Sequence, residues 1–319
     1  RYGSMKIGLY SITYLGIWYK GGALSMREFI TQAKKLGYDG IEIDGKRPHG
    51  NPMDLDAGAR REIREMAAGE GLEIPCVASN NDFTTPVPDY RECQLLMVRE
   101  QIKLAADLGA KYVRLFLAWP GVTYRADGLA QYDIARRRWD EIWRDTTRAE
   151  VWDYAKACFK EVARIAEQEG VVLALQNHAP VIRHYKDVLD MIAEVDSPAF
   201  KACIDVPIEP NQEDEYVRQM ALDTGKLEVH SHFGGEFERG PDGKVVQRQL
   251  RFPRPLTNYP AFIRGLKEVG YDGYFCFEFC HPAVNAKHEP QGRSYIDEQA
   301  ALALEYLRDL MIQEGVYHK

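Results

Sequence analysis

The sequence predicts one α/β domain built as a single (β/α)8 TIM barrel, and three observations carry that prediction. A helix ending in Gly runs straight into a short apolar strand at Leu36-Gly37 to Ile43, Leu108-Gly109 to Phe116, Glu169-Gly170 to Leu175 and Val269-Gly270 to Phe277. Gly just past a helix accepts the left-handed backbone at low steric cost, so each is a helix-to-strand junction. Eight strand candidates, near residues 6–11, 38–43, 73–78, 111–117, 171–176, 200–205, 226–231 and 272–278, are each followed by a helical pattern. The first strand leads into Ser11-Ile12-Thr13-Tyr14 and not into a Gly-rich phosphate loop, which argues against a doubly wound open sheet.

Local signals support the elements one by one. Ser25 and Glu28 have the spacing of a capping box, in which each side chain satisfies a free amide at a helix start. Val151, Ala155, Cys158, Val162 and Ile165 step by four and three, one face of a helix that packs outside the sheet. Residues 118–147 and 233–258 break the regular spacing as long loops after strands four and seven; the first holds Trp119, Trp139 and Trp143, the second Gly234-Gly235 with several Pro and Arg. Both are expected at the C-terminal mouth, where barrels build lids and binding surfaces. With no low-complexity linker, residues 5–319 are expected to form one domain, and Arg1 to Ser4 read as a cloning remnant ahead of Met5.

Composition narrows the function. The chain has 319 residues, 45% of them hydrophobic, enough for one large core. Its 41 Lys and Arg against 48 Asp and Glu give a formal charge of -7 and no basic footprint for nucleic acid or an anionic membrane. No apolar run approaches the roughly 20 residues that cross a bilayer, and no signal-peptide pattern opens the chain, so the expected location is cytoplasmic. Cys76, Cys93, Cys158, Cys203, Cys276 and Cys280 are scattered, five of them in apolar patterns, and are expected to be reduced thiols with no structural zinc.

Chemistry gathers at the ends of the last four strands. Strand five ends Leu175-Gln176-Asn177-His178, strand six Cys203-Ile204-Asp205, strand seven His230-Ser231-His232 and strand eight Phe277-Glu278. A closed parallel barrel brings these ends to one mouth. Each residue alone reads as an ordinary hydrogen-bonding group, but an Asp and a Glu brought close repel unless a cation sits between them. Hard oxygen donors with one imidazole favour manganese, magnesium or cobalt over a thiolate zinc site.

This succession resembles the xylose isomerase-like barrels, the sugar phosphate isomerase and epimerase superfamily, over essentially the whole chain. Members carry Glu-Asn-His after strand five, Asp after strand six, His-x-His after strand seven and Glu after strand eight, and the two Glu, the Asp and the second His bind metal. The resemblance implies Gln176, Asp205, His232 and Glu278 as ligands of one divalent ion. It speaks for fold and metal more than for substrate. Two departures bear on mechanism. Gln176 is an amide, which cannot accept and return a proton as a Glu base does. Ile208 stands where such epimerases often carry a His.

His178 is therefore the candidate general base, with Glu278 sharing the role. Residues two apart in a strand point the same way, so His178 and His230 are both expected to face the cavity. The Gln-Asn-His run and the long aromatic insertion are similar to those of the larger subunit of C-glycoside deglycosidases. That resemblance implies Mn2+ (Mg2+ or Co2+ being the alternatives), a small β-type partner subunit, and a lyase that removes the proton beside the carbonyl of a 3-oxo-glycoside and expels the aglycone. Trp119, Trp18 and Tyr19 are then candidates for stacking on the aglycone, with His230 nearby. The alternatives are a keto-sugar or sugar phosphate isomerase or epimerase in which His178 replaces the missing Glu, and a non-catalytic barrel that binds a sugar or a partner; a homo-oligomer is the alternative to a companion subunit. An endonuclease fits least, because the net charge is negative.

Overall fold

The computed structural model describes residues 4–251 and 254–318, so Arg1 to Gly3 of the expected remnant, and Phe252 and Pro253 of the second long loop, lie outside the described residues. The barrel strands are β1 (Lys6–Tyr10), β2 (Gly40–Asp44), β3 (Glu73–Ala78), β4 (Tyr112–Leu115), β5 (Val172–Gln176), β6 (Phe200–Cys203), β7 (Ser231–Phe233) and β8 (Tyr274–Phe277). They form one eight-stranded parallel sheet in the order β6-β5-β4-β3-β2-β1-β8-β7. A parallel bridge between Ala202 and Glu228 closes the ring. Barrel closure leaves no strand edge unpaired, and helices cover the outside.

The helices are α1 (Met26–Leu36), α2 (Ala57–Gly69), α3 (Pro88–Leu108), α4 (Asp133–Asp145), α5 (Arg148–Glu169), α6 (Tyr185–Val195), α7 (Asp214–Thr224), α8 (Tyr259–Glu268) and α9 (Arg293–Gln313). The capping box is present: Glu28 N donates to Ser25 Oγ at 3.1 Å, and Ser25 N donates to Glu28 Oε1 at 3.0 Å. Gly37, Gly109 and Gly170 end α1, α3 and α5 at φ of 95°, 75° and 70°, the left-handed backbone the junctions require. The stripe from Val151 to Val162 is buried on α5. Inside the barrel, Gly8 has a different purpose: a Cβ there would come 2.6 Å from Cys276 Sγ, so the interior layer below the mouth closes only on glycine.

Strand seven differs from expectation. The paired strand is Ser231–Phe233, while Gly225–Leu227 form a 3-10 turn. In between, one backbone bond from Val229 N to Ala202 O at 3.0 Å is supplemented by side chains, since Ile204 N donates to Glu228 Oε1 at 2.7 Å and Ser231 Oγ donates to Ile204 O at 2.9 Å. All six cysteines are unpaired. The two long loops carry structure of their own: a short hairpin (Thr123–Tyr124 with Ala130–Gln131) and α4 in the first, and a hairpin (Glu236–Arg239 with Val245–Arg248) in the second. None of the described helices is long and apolar enough to cross a membrane.

Candidate active site

Strand alternation and the closed ring bring three of the four proposed ligands into direct contact. Gln176 is the last residue of β5, and its Nε2 donates to Asp205 Oδ2 in a very short contact. His232 Nδ1 lies 2.9 Å from the same Oδ2, and His232 N donates to Asp205 Oδ1 at 2.8 Å. Asn177 holds the Asp205 backbone in place: Asp205 N donates to Asn177 Oδ1 at 2.9 Å, and Asn177 Nδ2 donates to Glu209 Oε2 at 2.7 Å. Glu278 follows β8 and shares the cavity floor with Gln176, close enough to feel the charges of His232 and Asp205. Asp205 and His232 lie behind that floor, fully buried.

Two side chains on strands outside the last four complete the cluster. Glu42, in β2, accepts from His232 Nε2 at 2.8 Å and from His230 Nε2 at 2.7 Å. Arg114, in β4, donates to Gln176 Oε1 at 3.2 Å, Tyr10 Oη at 3.2 Å and Ser79 O at 3.0 Å. Neither was found among the sequence candidates, although each is a charged residue inside an apolar strand, in Ile41-Glu42-Ile43 and Val113-Arg114-Leu115. That pattern was the available signal, because a lone buried charge needs partners.

The electrostatics follow from burial and neighbours. Burial opposes charge on His232, yet Glu42 and Asp205, facing its two ring nitrogens, outweigh it and hold its pKa well above the usual imidazole value. Burial would raise Glu42, but His232 and His230 hold it well below the usual carboxylate range. Burial pushes Glu278 up to about 7. His178 moves the other way, down to about 4, mainly through burial. Its expected titration near neutrality therefore does not hold. His178 Nδ1 lies 2.7 Å from Ala179 O, an acceptor only, so Nδ1 carries the hydrogen and Nε2 keeps the lone pair.

The donor set suits a divalent cation. Cys203 Sγ, an Asp205 carboxylate oxygen and a His232 ring nitrogen lie within 4.8 Å of one another, and a second group joins Glu42, His230 and His232. Burial pushes the Cys203 thiol well above its usual pKa. Three carboxylates, Glu42, Asp205 and Glu278, share this pocket with two imidazoles and one guanidinium.

Above the floor lies a cavity of about 830 Å³, inside the roughly 300–1,000 Å³ usual for small-molecule sites. Both insertions wall it. Trp18, Trp119, Tyr132 and Trp139 form its aromatic side, with His178 and Ile208 on the lining. Trp119 stacks on Phe116 at 4.9 Å, His178 meets both rings edge-on, and the Lys46 ammonium lies 5.1 Å from the Trp119 ring. Two expected substrate contacts lie elsewhere. Tyr19 is buried away from the lining and donates to Gly22 O at 2.7 Å. His230 does point the same way as His232, but toward Glu42 and away from the cavity.

Comparisons with known proteins agree with this architecture. Residues 30–310 match the family described as xylose isomerase-like TIM barrel. A fructoselysine 3-epimerase of Shigella flexneri is 25% identical over 306 residues, covering 91% of this chain and 95% of that protein. Among solved structures, a 3-keto-D-glucoside 4-epimerase from E. coli in apo form superposes with a TM-score of 0.64 at 18% identity, covering 94% of this chain and 99% of that one. The IolI protein with a bound zinc atom superposes with a TM-score of 0.67 at 16% identity, covering 99% and 100%.

Proposed function

Because the chain belongs to the xylose isomerase-like TIM-barrel family, we propose that it is a carbohydrate enzyme, a divalent-metal-dependent epimerase or isomerase that moves a proton on the carbon beside a keto-sugar carbonyl. The observation that carries this reading is the contact of Gln176, Asp205 and His232 just behind the floor of a cavity lined by Gln176, Glu278 and His178. Asp205, His232 and Glu278 would hold the ion, with Gln176 beside them and Mn2+ as the first choice. A bound divalent ion supplies positive charge that stabilises the carbonyl oxygen as the neighbouring C–H bond breaks.

The chain's own groups handle the proton. His178, neutral and with its Nε2 lone pair free, accepts a proton from the substrate carbon. Glu278, on the same cavity floor, is the group that returns one to carbon. Delivery to the opposite face inverts that carbon, and delivery to the adjacent carbon isomerises the sugar. The curated relative acts on fructoselysine and one structural neighbour on a 3-keto-D-glucoside, both sugars joined to a second group. A cavity of about 830 Å³, more than one hexose fills, supports a substrate of that substituted class.

A second reading rests on Gln176. An amide where the family carries a carboxylate removes one of two symmetric bases, which favours one-sided chemistry: loss of the C2 proton of a 3-oxo-glycoside and expulsion of the aglycone from C1. One experiment separates the two. Protein with Mn2+ is incubated in D2O with a 3-oxo-glycoside and with free ketoses, and the products are read by NMR. Deuterium at the carbon beside the ketone with a new epimer or isomer is expected. Free aglycone selects elimination, and no exchange in any substrate contradicts both readings.

A further inference from the structure

Glu42 has no part in the chemistry above, yet it is completely buried and reaches across the barrel interior from β2 to β7. Its Oε1 lies 2.7 Å from His230 Nε2 and 2.8 Å from His232 Nε2, and its Oε2 lies 2.9 Å from His232 Nε2. An ionised carboxylate only accepts, so both imidazoles must carry hydrogen on Nε2. For His232 this leaves Nδ1 as the ligating nitrogen, and Nδ1 lies 2.9 Å from Asp205 Oδ2. We infer that Glu42 is a positioning residue that holds His232 in its Nε2–H form, presenting Nδ1 beside Asp205, while His230 acts as the second donor that anchors Glu42.

Metal-bound imidazoles commonly give their other N–H to a carboxylate, which fixes the ring and strengthens the ligating nitrogen; losing that partner costs about 10- to 100-fold in affinity. The same atoms admit a rival, because Glu42, His230 and His232 are also a group that could hold an ion of their own. The hydrogen-bond lengths favour the positioning role. Both His232 nitrogens already have assigned carboxylates, Nε2 toward Glu42 and Nδ1 toward Asp205.

The inference rests on the proposed metal dependence, and the test keeps the two apart. Chelator-treated protein is titrated with Zn2+ by calorimetry, and the histidine tautomers of the zinc-loaded protein are read by 15N NMR. The chain has eight histidines, and the His230→Asn and His232→Asn variants, each removing one imidazole signal, assign these two among them. The expected result is one ion per chain, Nε2–H on His232, and a Glu42→Gln variant that still takes one ion with Kd raised about 10- to 100-fold. If Glu42→Gln does not fold, the tautomer of the unaltered chain still decides. Nδ1–H on His232, two ions per chain, or an unchanged Kd in Glu42→Gln overturns the positioning role while leaving metal dependence standing. A chain that takes up no ion overturns both.

Discussion

At the scale of single residues, the site is decided by which neighbours can donate and which can only accept. Gln176 lies between Arg114, a donor only, and Asp205, an acceptor only. Its amide therefore has one favourable orientation, oxygen toward the guanidinium and nitrogen toward the carboxylate. A Glu at this position would gain Arg114 but oppose Asp205, which is the physical sense of the amide in this sequence. Glu228 gives a separate, titratable example. Burial pushes its carboxyl well above the usual glutamate value; Ile204 N donates to Oε1, and Oε2 has no hydrogen-bond partner among the described residues. As pH rises past the ordinary glutamate range, the unfolded chain releases this proton while the folded chain keeps it. Folding then takes up a proton and stability falls with pH. Glu228→Gln removes that titration. Its stability relative to the unaltered chain, measured by denaturant unfolding from about pH 5 to pH 8, is expected to rise with pH by up to about 1.4 kcal/mol per unit. A difference that does not vary with pH contradicts the buried, protonated Glu228.

At the scale of elements, the insertion after β4 gives the cavity its aromatic side. Trp119 packs on Phe116 and under Lys46, so its face is held in place before any substrate arrives. An aromatic contact is worth about 0.5–1.5 kcal/mol, so Trp119→Ala is expected to raise KM for a substituted keto-sugar about two- to tenfold, with kcat little changed. Steady-state kinetics check this, and an equal loss in kcat with unchanged KM places Trp119 elsewhere. The barrel elements were legible because Gly37, Gly109 and Gly170 mark helix ends and because the Ser25–Glu28 box and the Val151 stripe are local codes. Strand seven begins later than the apolar pattern predicts, since only the Ala202–Glu228 bridge pairs ahead of Ser231 and the Glu228 and Ser231 side chains bond Ile204, which an apolar pattern does not reveal. The ends of β5 to β8 showed Gln176, Asp205, His232 and Glu278. Glu42 and Arg114 escaped because their partners lie far away in sequence on other strands. His230 escaped in destination only, its direction being set correctly by strand alternation.

At the scale of the whole molecule, a chain of net charge -7 gathers buried carboxylates from β2, β6 and β8 at one mouth. Closing the sheet brings them together, and the Arg114 guanidinium is a positive charge set among them. A divalent ion at the same place would answer that demand. The central claim is therefore where the ion sits. Crystals loaded with Mn2+ and measured at the manganese absorption edge test it most directly. The account predicts one anomalous peak about 2.0–2.6 Å from Asp205, His232 Nδ1 and Glu278. No peak among those three side chains, or a peak bound instead at Glu42 and His230, would contradict it.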